Sequence, residues 1–462
     1  MARTAEGTPG APHVLIVGGG YVGMYTALRL QKKLRRELKR GDVRITVVDP
    51  NSYMTYQPFL PEAAAGNVSP RHVVTPLRRA LKRCAVRNAR VTELNHAERW
   101  AIVQPLAGPP ERISYDYLVM AAGSVSRTLP IPGLAEYGIG FKTIGEAIHL
   151  RNHVLAQLEI AESTDEEEVR RKALTFVFVG GGFAGVEALA ELEDMARGAV
   201  KYMSKVTRED LRFVLIEAAD RILPEVGPEM GRWTAEQLRG RGIDVKLKTY
   251  LRSAVGGNIE CSDGSSFAAG TLVWTAGVKA SPVVRNSDLP LNERGQVKAT
   301  EYLTVEGVVR AFTAGDNAAV PDLTQEGMYC APNAQHAVRQ AKVLADNLVR
   351  SLRGKTLKPY VHNSVGSVAG LGLYKGVANT YGFKVKGFPA WVMHRTYHVS
   401  RVPTLNRKVR VLADWTLAMF FKRETVSLGS IEQPRAEFEL AAMGDVQPRQ
   451  QSQDDKAREN AA

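Results

Sequence analysis

Residues 14–30 read VLIVGGGYVGMYTALRL, and residues 177–192 read VFVGGGFAGVEALAEL. An apolar run that enters a triple glycine and leaves as a helical pattern is the opening of a βαβ unit. Gly18, Gly20 and Gly23 form one G-x-G-x-x-G turn, and Gly180, Gly182 and Gly185 form a second. In such a turn the first glycine permits the tight bend and the second lets the backbone approach a pyrophosphate. The third lets helix and strand pack closely. The helix N-terminus then offers free N–H groups and partial positive charge to the phosphates. Two such turns in one chain restrict the fold to α/β architecture with two dinucleotide-binding halves.

The surrounding sequence repeats in the same order. RITVVDP (44–50) is a second strand ending in Asp49, and LRFVLIEAADRIL (211–223) is its counterpart with Glu217. YDYLVMAAGS (115–124) and TLVWTAG (271–277) are matching strands that lead to Gly123 and Gly277. The chain therefore contains an internal duplication at domain scale. An acid at the end of the second strand accepts hydrogen bonds from ribose hydroxyls and repels a 2′-phosphate. Glu217 accordingly favours NADH over NADPH, a preference that nearby Arg221 weakens. A third landmark, VRAFTAGDNAAV (309–320), places Asp316 in a turn suited to a further cofactor contact. A hydride donor needs an acceptor within van der Waals reach. Two facing sites suit one tightly held flavin dinucleotide and one exchanging nicotinamide dinucleotide. Between the copies, IGEAIHLRNHVLAQLEIAE (144–162) has helical spacing that puts Ile144, Ile148, His149, Val154, Leu155 and Leu158 on one broad face.

Composition narrows the chemistry. The 462 residues hold only three cysteines, Cys84, Cys261 and Cys330, none in a C-x-x-C pair. That argues against a disulfide reductase and a structural zinc site, and we expect no metal. No run of about 18 apolar residues is present, so no transmembrane helix is expected. The apolar VLIV run leads at once into glycines, so it is not expected to be a signal peptide. A net charge of +13 suits an anionic partner, and no motif points to nucleic acid.

GGGYVG, YDYLVMAAGS, VGGGFAGVE, EAADRILPE, WTAGV and FTAGDNA occur in the order of two-dinucleotide-domain flavoproteins. NSYMTYQPFLPEAAAG (51–66), GVEALAEL, APNAQHAVRQAK and WVMHRTYHVSRVPTLNRKVRVLADW resemble segments of type II NADH dehydrogenases, the non-proton-pumping NADH:quinone oxidoreductases. The resemblance covers about residues 13–430. It implies FAD over Gly18, Gly20, Gly23, Asp49, Gly123 and Asp316, and NADH over Gly180, Gly182, Gly185, Glu217 and Gly277. It implies hydride transfer from NADH to FAD, then two electrons to a membrane quinone. Glu187 is expected beside the nicotinamide and flavin as a proton relay; the alternative is a first-turn glutamate complementing its helix dipole. Gln335 is expected to donate to the quinone, and Lys375 to lie near the same pocket. The family helix often carries a second glutamine four residues on, where this chain has Arg339; Gln340 is rotated away.

Leu405, Val409, Leu412, Trp415 and Met419 recur at helical spacing among Arg407, Lys408, Arg410, Lys422 and Arg423. This pattern suits a helix in an anionic membrane interface, with a dimer or core helix as the other reading. The expected architecture is two Rossmann-like domains, the FAD domain split by an inserted NADH domain, followed by a membrane-interface region. Its expected segments are a disordered tail (1–11), an N-terminal FAD segment (12–145), an NADH domain (146–290), a returning FAD segment (291–385), an interface region (386–430) and a second tail (431–462). The expected protein is peripheral on the cytoplasmic face of the cell membrane, with NADH, a quinone, the anionic surface and a second copy as partners. The rival reading is a soluble NAD(P)H-dependent flavoprotein reductase that feeds a small carrier protein.

Overall fold

The computed structural model describes residues 10–363, 365–421, 423–427, 438, 439 and 441. Nearly all of both expected tails, and Lys422, lie outside the described residues. The first half comprises β1 (His13–Val17), α1 (Tyr21–Lys33), β2 (Arg44–Asp49), α2 (Leu60–Ala64), β3 (Ala85–Asn95), β4 (Trp100–Pro105), β5 (Glu111–Ser114) and β6 (Tyr117–Met120). The second comprises β7 (Gly138–Gly140), α3 (Ile144–Ser163), β8 (Thr175–Val179), α4 (Phe183–Ala199), β9 (Arg212–Ile216), β10 (Asp244–Lys246) and β11 (Thr271–Trp274). The chain then returns through β12 (Ala311–Thr313) and α5 (Ala334–Leu352). It ends in the hairpin strands β13 (Gly366–Gly370), β14 (Gly376–Thr380) and β15 (Phe383–Lys386), followed by α6 (Phe388–Arg401) and α7 (Leu405–Phe421).

Two sheets organise these elements. The larger has the order β12-β6-β1-β2-β3-β4-β5, parallel through β3 and antiparallel beyond. The smaller, β7-β11-β8-β9-β10, is parallel throughout. β6-β1-β2 and β11-β8-β9 are the same three-strand arrangement, so the sequence repeat is also a structural one. β1 and β8 are buried along their whole length, as parallel strands covered on both faces must be. The chain passes between the sheets through an antiparallel pair, Ser124–Ser126 with Val278–Ala280. These segments directly follow the Gly123 and Gly277 turns, so both turns converge on the crossover.

The helix α3 begins with a capping box between Thr143 and Glu146. Its buried face differs from the sequence reading. Ala147, Leu150, Val154, Leu158 and Ala161 face the core, while His149 is exposed and Ile148 is half-buried. Leu150 replaces His149 because the i, i+3, i+4 stripe runs through the smaller, fully apolar side chains. The helical pattern read from Leu405 to Met419 is α7, and a separate helix, α6, precedes it across a break at Val402–Thr404. Pro403 lies in that break; a proline disfavours helix in the residue before it and lacks the N–H that a continuing helix needs.

Candidate functional site

The two glycine turns are built alike. Gly18 and Gly180 have φ of 100° and 114°, conformations that strain any other residue. A Cβ on Gly23 would overlap the carbonyl of Gly18, and one on Gly185 that of Gly180. A Cβ on Gly20 or Gly182 would meet nothing within 4 Å. Each N-terminal helix end therefore faces a cradle that even a methyl group would begin to fill. Each turn is also anchored by the acid of the following strand. Asp49 accepts from the amides of Gly19 (2.6 Å) and Asn51 (2.7 Å). Glu217 accepts from Gly181 (2.5 Å) and Ala219 (2.7 Å). Burial raises the Asp49 pKa, against the pull of those two amides. The donor geometry fits a dinucleotide at each turn: free helix-end amides for phosphate, and a fixed carboxylate edge for ribose.

The first crevice has a second wall. Asp316 accepts from the Ser124 hydroxyl at 2.6 Å, and Lys142 Nζ donates to the same hydroxyl at 2.6 Å. Burial lowers the Lys142 pKa, with Asp316 acting against it. The Gly123 amide donates to Asn317 Oδ1 at 2.9 Å. Gln340, buried on α5, accepts from the Gly315 amide at 2.8 Å and so holds the Gly-Asp turn. Its role is structural, which accounts for its rotation away from Gln335. Gly277 turns at φ 94°, and its carbonyl accepts from the Arg127 amide.

Glu187 is buried where α4 meets the C-terminal elements. Its Oε1 accepts from the Gly370 amide at 2.8 Å and lies 3.1 Å from His394 Nε2. Burial opposes charge on His394, yet Glu187 outweighs it and leaves the imidazole pKa above its ordinary value. The His398 ring is 4.5 Å from that of His394, and its Nδ1 is 3.2 Å from the Tyr56 hydroxyl. Burial drives His398 well below the usual histidine range. One turn further along α4, Glu191 accepts from Asn67 (2.8 Å) and stands 3.8 Å from Arg423. Glu62 on α2 accepts from Trp415 Nε1 (2.5 Å) and pairs with Arg395 (3.2 Å). Burial raises the Glu191 pKa, with Arg423 opposing and Glu62 reinforcing.

Gln335 lies at the other end of the same strand. Its Nε2 donates to the Gly366 carbonyl at 3.1 Å, and its Oε1 is 3.0 Å from His362 Nε2. Since Gly370 holds Glu187 at the far end of β13, the two side chains are separated by roughly 13 Å of strand. Only one amide hydrogen of Gln335 is left for a ligand. Arg339 turns back to donate to the Gln335 main-chain carbonyl at 3.0 Å. Burial, then Arg339, lowers the His362 pKa to about 4. Lys375 is exposed on the turn between β13 and β14.

Sequence reading missed Lys142, Glu62, Glu191, His362, His394 and His398. For Glu191 a signal existed: in GVEALAEL it follows Glu187 by four residues, so both share a helix face. The contacts of the others join segments distant in the chain, and nothing local announces them.

Residues 12–341 match the family model described as pyridine nucleotide-disulphide oxidoreductase. The type II NADH:quinone oxidoreductase Ndh of Mycobacterium tuberculosis (strain ATCC 25618 / H37Rv) is 29% identical over 431 residues, 90% of this chain and 89% of that protein. Demethylphylloquinone reductase NdbB of Synechocystis sp. is 29% identical over 416 residues, 88% of this chain and 96% of that protein. Among solved structures, NDH2 from Plasmodium falciparum in complex with NADH superposes with a TM-score of 0.82 at 18% identity, over 90% of this chain and 100% of that one.

Proposed function

The chain belongs to the pyridine nucleotide-disulphide oxidoreductase family, and from that premise we propose that it is a non-proton-pumping NADH:quinone oxidoreductase with FAD as its resident cofactor. The observation that carries the reading is the doubled turn with its doubled acid anchor, the first copy being further bordered by the Ser124, Asp316 and Lys142 cluster. The walled crevice takes FAD over Gly18, Gly20, Gly23, Asp49, Gly123 and Asp316. The second crevice takes NADH over Gly180, Gly182, Gly185, Glu217 and Gly277. FAD supplies two-electron chemistry between NADH and the quinone. The three cysteines are all free, so the disulfide chemistry of the family name finds no paired thiols here.

The chain's own residues bind, orient and supply protons. Quinone reduction by NADH consumes one proton overall, since NADH, a proton and quinone give NAD⁺ and quinol. Glu187 and His394 put a carboxylate and an imidazole 3.1 Å apart in a buried position next to the NADH-side turn, and His394 Nε2 has no hydrogen-bond partner among the described residues, so this pair is placed to take up or give a proton. Gln335 offers its remaining amide hydrogen on the quinone side, with Arg339 beside it; Lys375, expected near the same pocket, sits instead at the opposite, Gly370 end of β13.

Membrane placement rests on α7. Leu405, Val409, Leu412, Met419 and Phe420 form one exposed apolar stripe, while Val411, Asp414 and Trp415 face the protein. Among the described residues no helix is long and apolar enough to cross a membrane. The stripe supports a peripheral protein that reaches a lipid-soluble quinone at the bilayer surface, and we place it on the cytoplasmic face. The carrier-protein reading draws on Arg339, whose guanidinium is engaged by its own helix. Anaerobic titration tests the assignment. NADH should bleach the flavin and a quinone should restore its absorbance; bleaching without recovery would overturn the acceptor and leave the donor half standing.

A further inference from the structure

A cavity of about 810 Å³ opens beside α6 and α7, away from both glycine turns. Its floor is the C-terminal half of α4 and the segment that follows. Trp391, Leu412, Trp415 and Met419 form its apolar wall. Five cations line it, Arg197, Lys201, Arg208, Arg395 and Arg423, against a single acid, Asp194.

The charges divide into two groups. Three are answered from behind the wall: Arg197 by Glu193, Arg395 by Glu62 and Arg423 by Glu191. Arg395 is also layered between Trp391 (4.2 Å) and Trp415 (4.7 Å), which fixes the two indoles as one surface. Asp194 is taken by Arg241 at 3.0 Å and by the Leu373 amide at 2.6 Å. Lys201 and Arg208 have no acidic partner among the described residues and are exposed at the rim. The cavity thus joins a pair of unanswered cations to an apolar trough. Leu412 and Met419 belong at once to the trough and to the exposed stripe of α7, so the trough is continuous with the surface read as facing lipid.

We propose that this cavity is a binding site for an anionic membrane phospholipid. Its acidic headgroup sits over Lys201 and Arg208, and one acyl chain runs between α6 and α7 along Trp391, Leu412 and Met419. A neutral lipid leaves the two rim cations unanswered, and a free inorganic anion leaves the trough empty. The inference rests on the reading that α7 meets a bilayer. It is independent of what accepts the electrons.

The two indoles in the wall provide the probe. The FAD-loaded full chain is mixed with vesicles of phosphatidylcholine containing phosphatidylglycerol brominated on its acyl chains, and tryptophan fluorescence is followed. Quenching is expected with the brominated phosphatidylglycerol and not with brominated phosphatidylcholine alone. It should vanish in the Trp391→Phe/Trp415→Phe variant. Lys201→Glu/Arg208→Glu should weaken the interaction by at least about 25-fold, since each basic residue lost near an anionic surface removes a factor of about five and the introduced acids add repulsion. The same variant should retain NADH bleaching and quinone recovery at wild-type rates, which separates this site from the electron-transfer reading. Equal quenching by the neutral lipid, or quenching indifferent to the charge reversal, would overturn the proposal. So would full quenching by a brominated free fatty acid without vesicles, which would make this a free-acid site. Displacement by a short-chain quinone would do the same and assign the cavity to the acceptor.

Discussion

The helices that leave the two glycine turns occupy equivalent positions and bury opposite chemistry. On α1 the buried residues are Val22, Gly23, Met24, Thr26, Ala27 and Leu30. On α4 they include Glu187, Glu191 and Glu193. Counting from the third glycine, Tyr25 corresponds to Glu187, Arg29 to Glu191 and Gln31 to Glu193. Arg29 remains partly exposed and pairs with Asp346 on α5. Glu191 is enclosed with Asn67 and Arg423, and Glu193 with Arg197 and Arg241. A buried carboxylate is costly unless it is paired and hydrogen-bonded. The duplication therefore supplied one turn geometry twice, and the second helix was then given a polar interior that the C-terminal segment completes. Cofactor binding belongs to the turn, and coupling to the rest of the molecule belongs to the helix beyond it.

The largest effects should come from treating the turns as equivalent. Gly23→Ala and Gly185→Ala each force a Cβ onto a backbone carbonyl of their own turn. The first should purify without flavin. The second should keep its flavin and lose reduction by low NADH, with at least a tenfold rise in KM, an overpacking cost of about 1–3 kcal/mol. Absorbance at purification and NADH titration read both out. Loss of flavin in both variants, with folding intact by circular dichroism, would break the division between a retained and an exchanging dinucleotide.

Next comes the helix difference itself. Glu187→Gln keeps an acceptor for the Gly370 amide and removes the charge facing His394. Flavin reduction by NADH should stay within about threefold. Reoxidation by quinone should slow by about a hundredfold, in the range of a lost proton-transfer group. Rapid mixing of the two half-reactions separates them. Equal slowing of both would assign Glu187 to packing.

These contrasts mark what can be read before folding. The turns, both anchoring acids and the strand order of the repeat are local patterns, set by glycine spacing and by runs such as VLIV and TFVFV that suit strands covered on both faces. Glu187 and Glu191 stand four apart in plain view. Their environment is not local: Asn67, His394, Arg395 and Arg423 arrive from segments far along the chain. A glutamate with an exposed future and one with a buried future look the same in a helical pattern. The same holds for α7, whose apolar residues could equally have faced a core. Only the burial of Val411 and the inward turn of Trp415 leave the other stripe outward. His149 fails in the reverse sense, since helical spacing alone cannot tell the centre of a buried face from its edge.

A smaller effect should distinguish the two anchoring acids. Glu217→Gln removes the charge that a 2′-phosphate would meet, so the ratio of kcat/KM for NADPH to that for NADH should rise about tenfold. Asp49→Asn, at the equivalent place in the other turn, should leave that ratio unchanged. Steady-state assays with both dinucleotides decide this. A ratio that moves with Asp49 instead would exchange the two crevices.

The smallest effect concerns Glu191, and here pH sharpens the comparison between the helices. Its carboxyl is held above its ordinary value chiefly by burial. A group raised in the folded state favours folding fully below its unfolded pKa, and that contribution is lost as pH rises through the folded value. Wild-type stability should therefore decline on this account from the ordinary glutamate range upward. Glu191→Gln is neutral at every pH and escapes the loss, so its melting temperature should gain on wild type by about 2 °C between pH 5 and pH 8. Arg29→Gln alters the equivalent position on α1, where the wild-type side chain does not titrate in that range. Its curve should run parallel to wild type whatever its offset. Thermal melts across that interval check both. Parallel curves for Glu191→Gln would mean that the α4 carboxyl ionises as freely as a surface acid, and that its burial against Arg423 adds no pH dependence that α1 lacks.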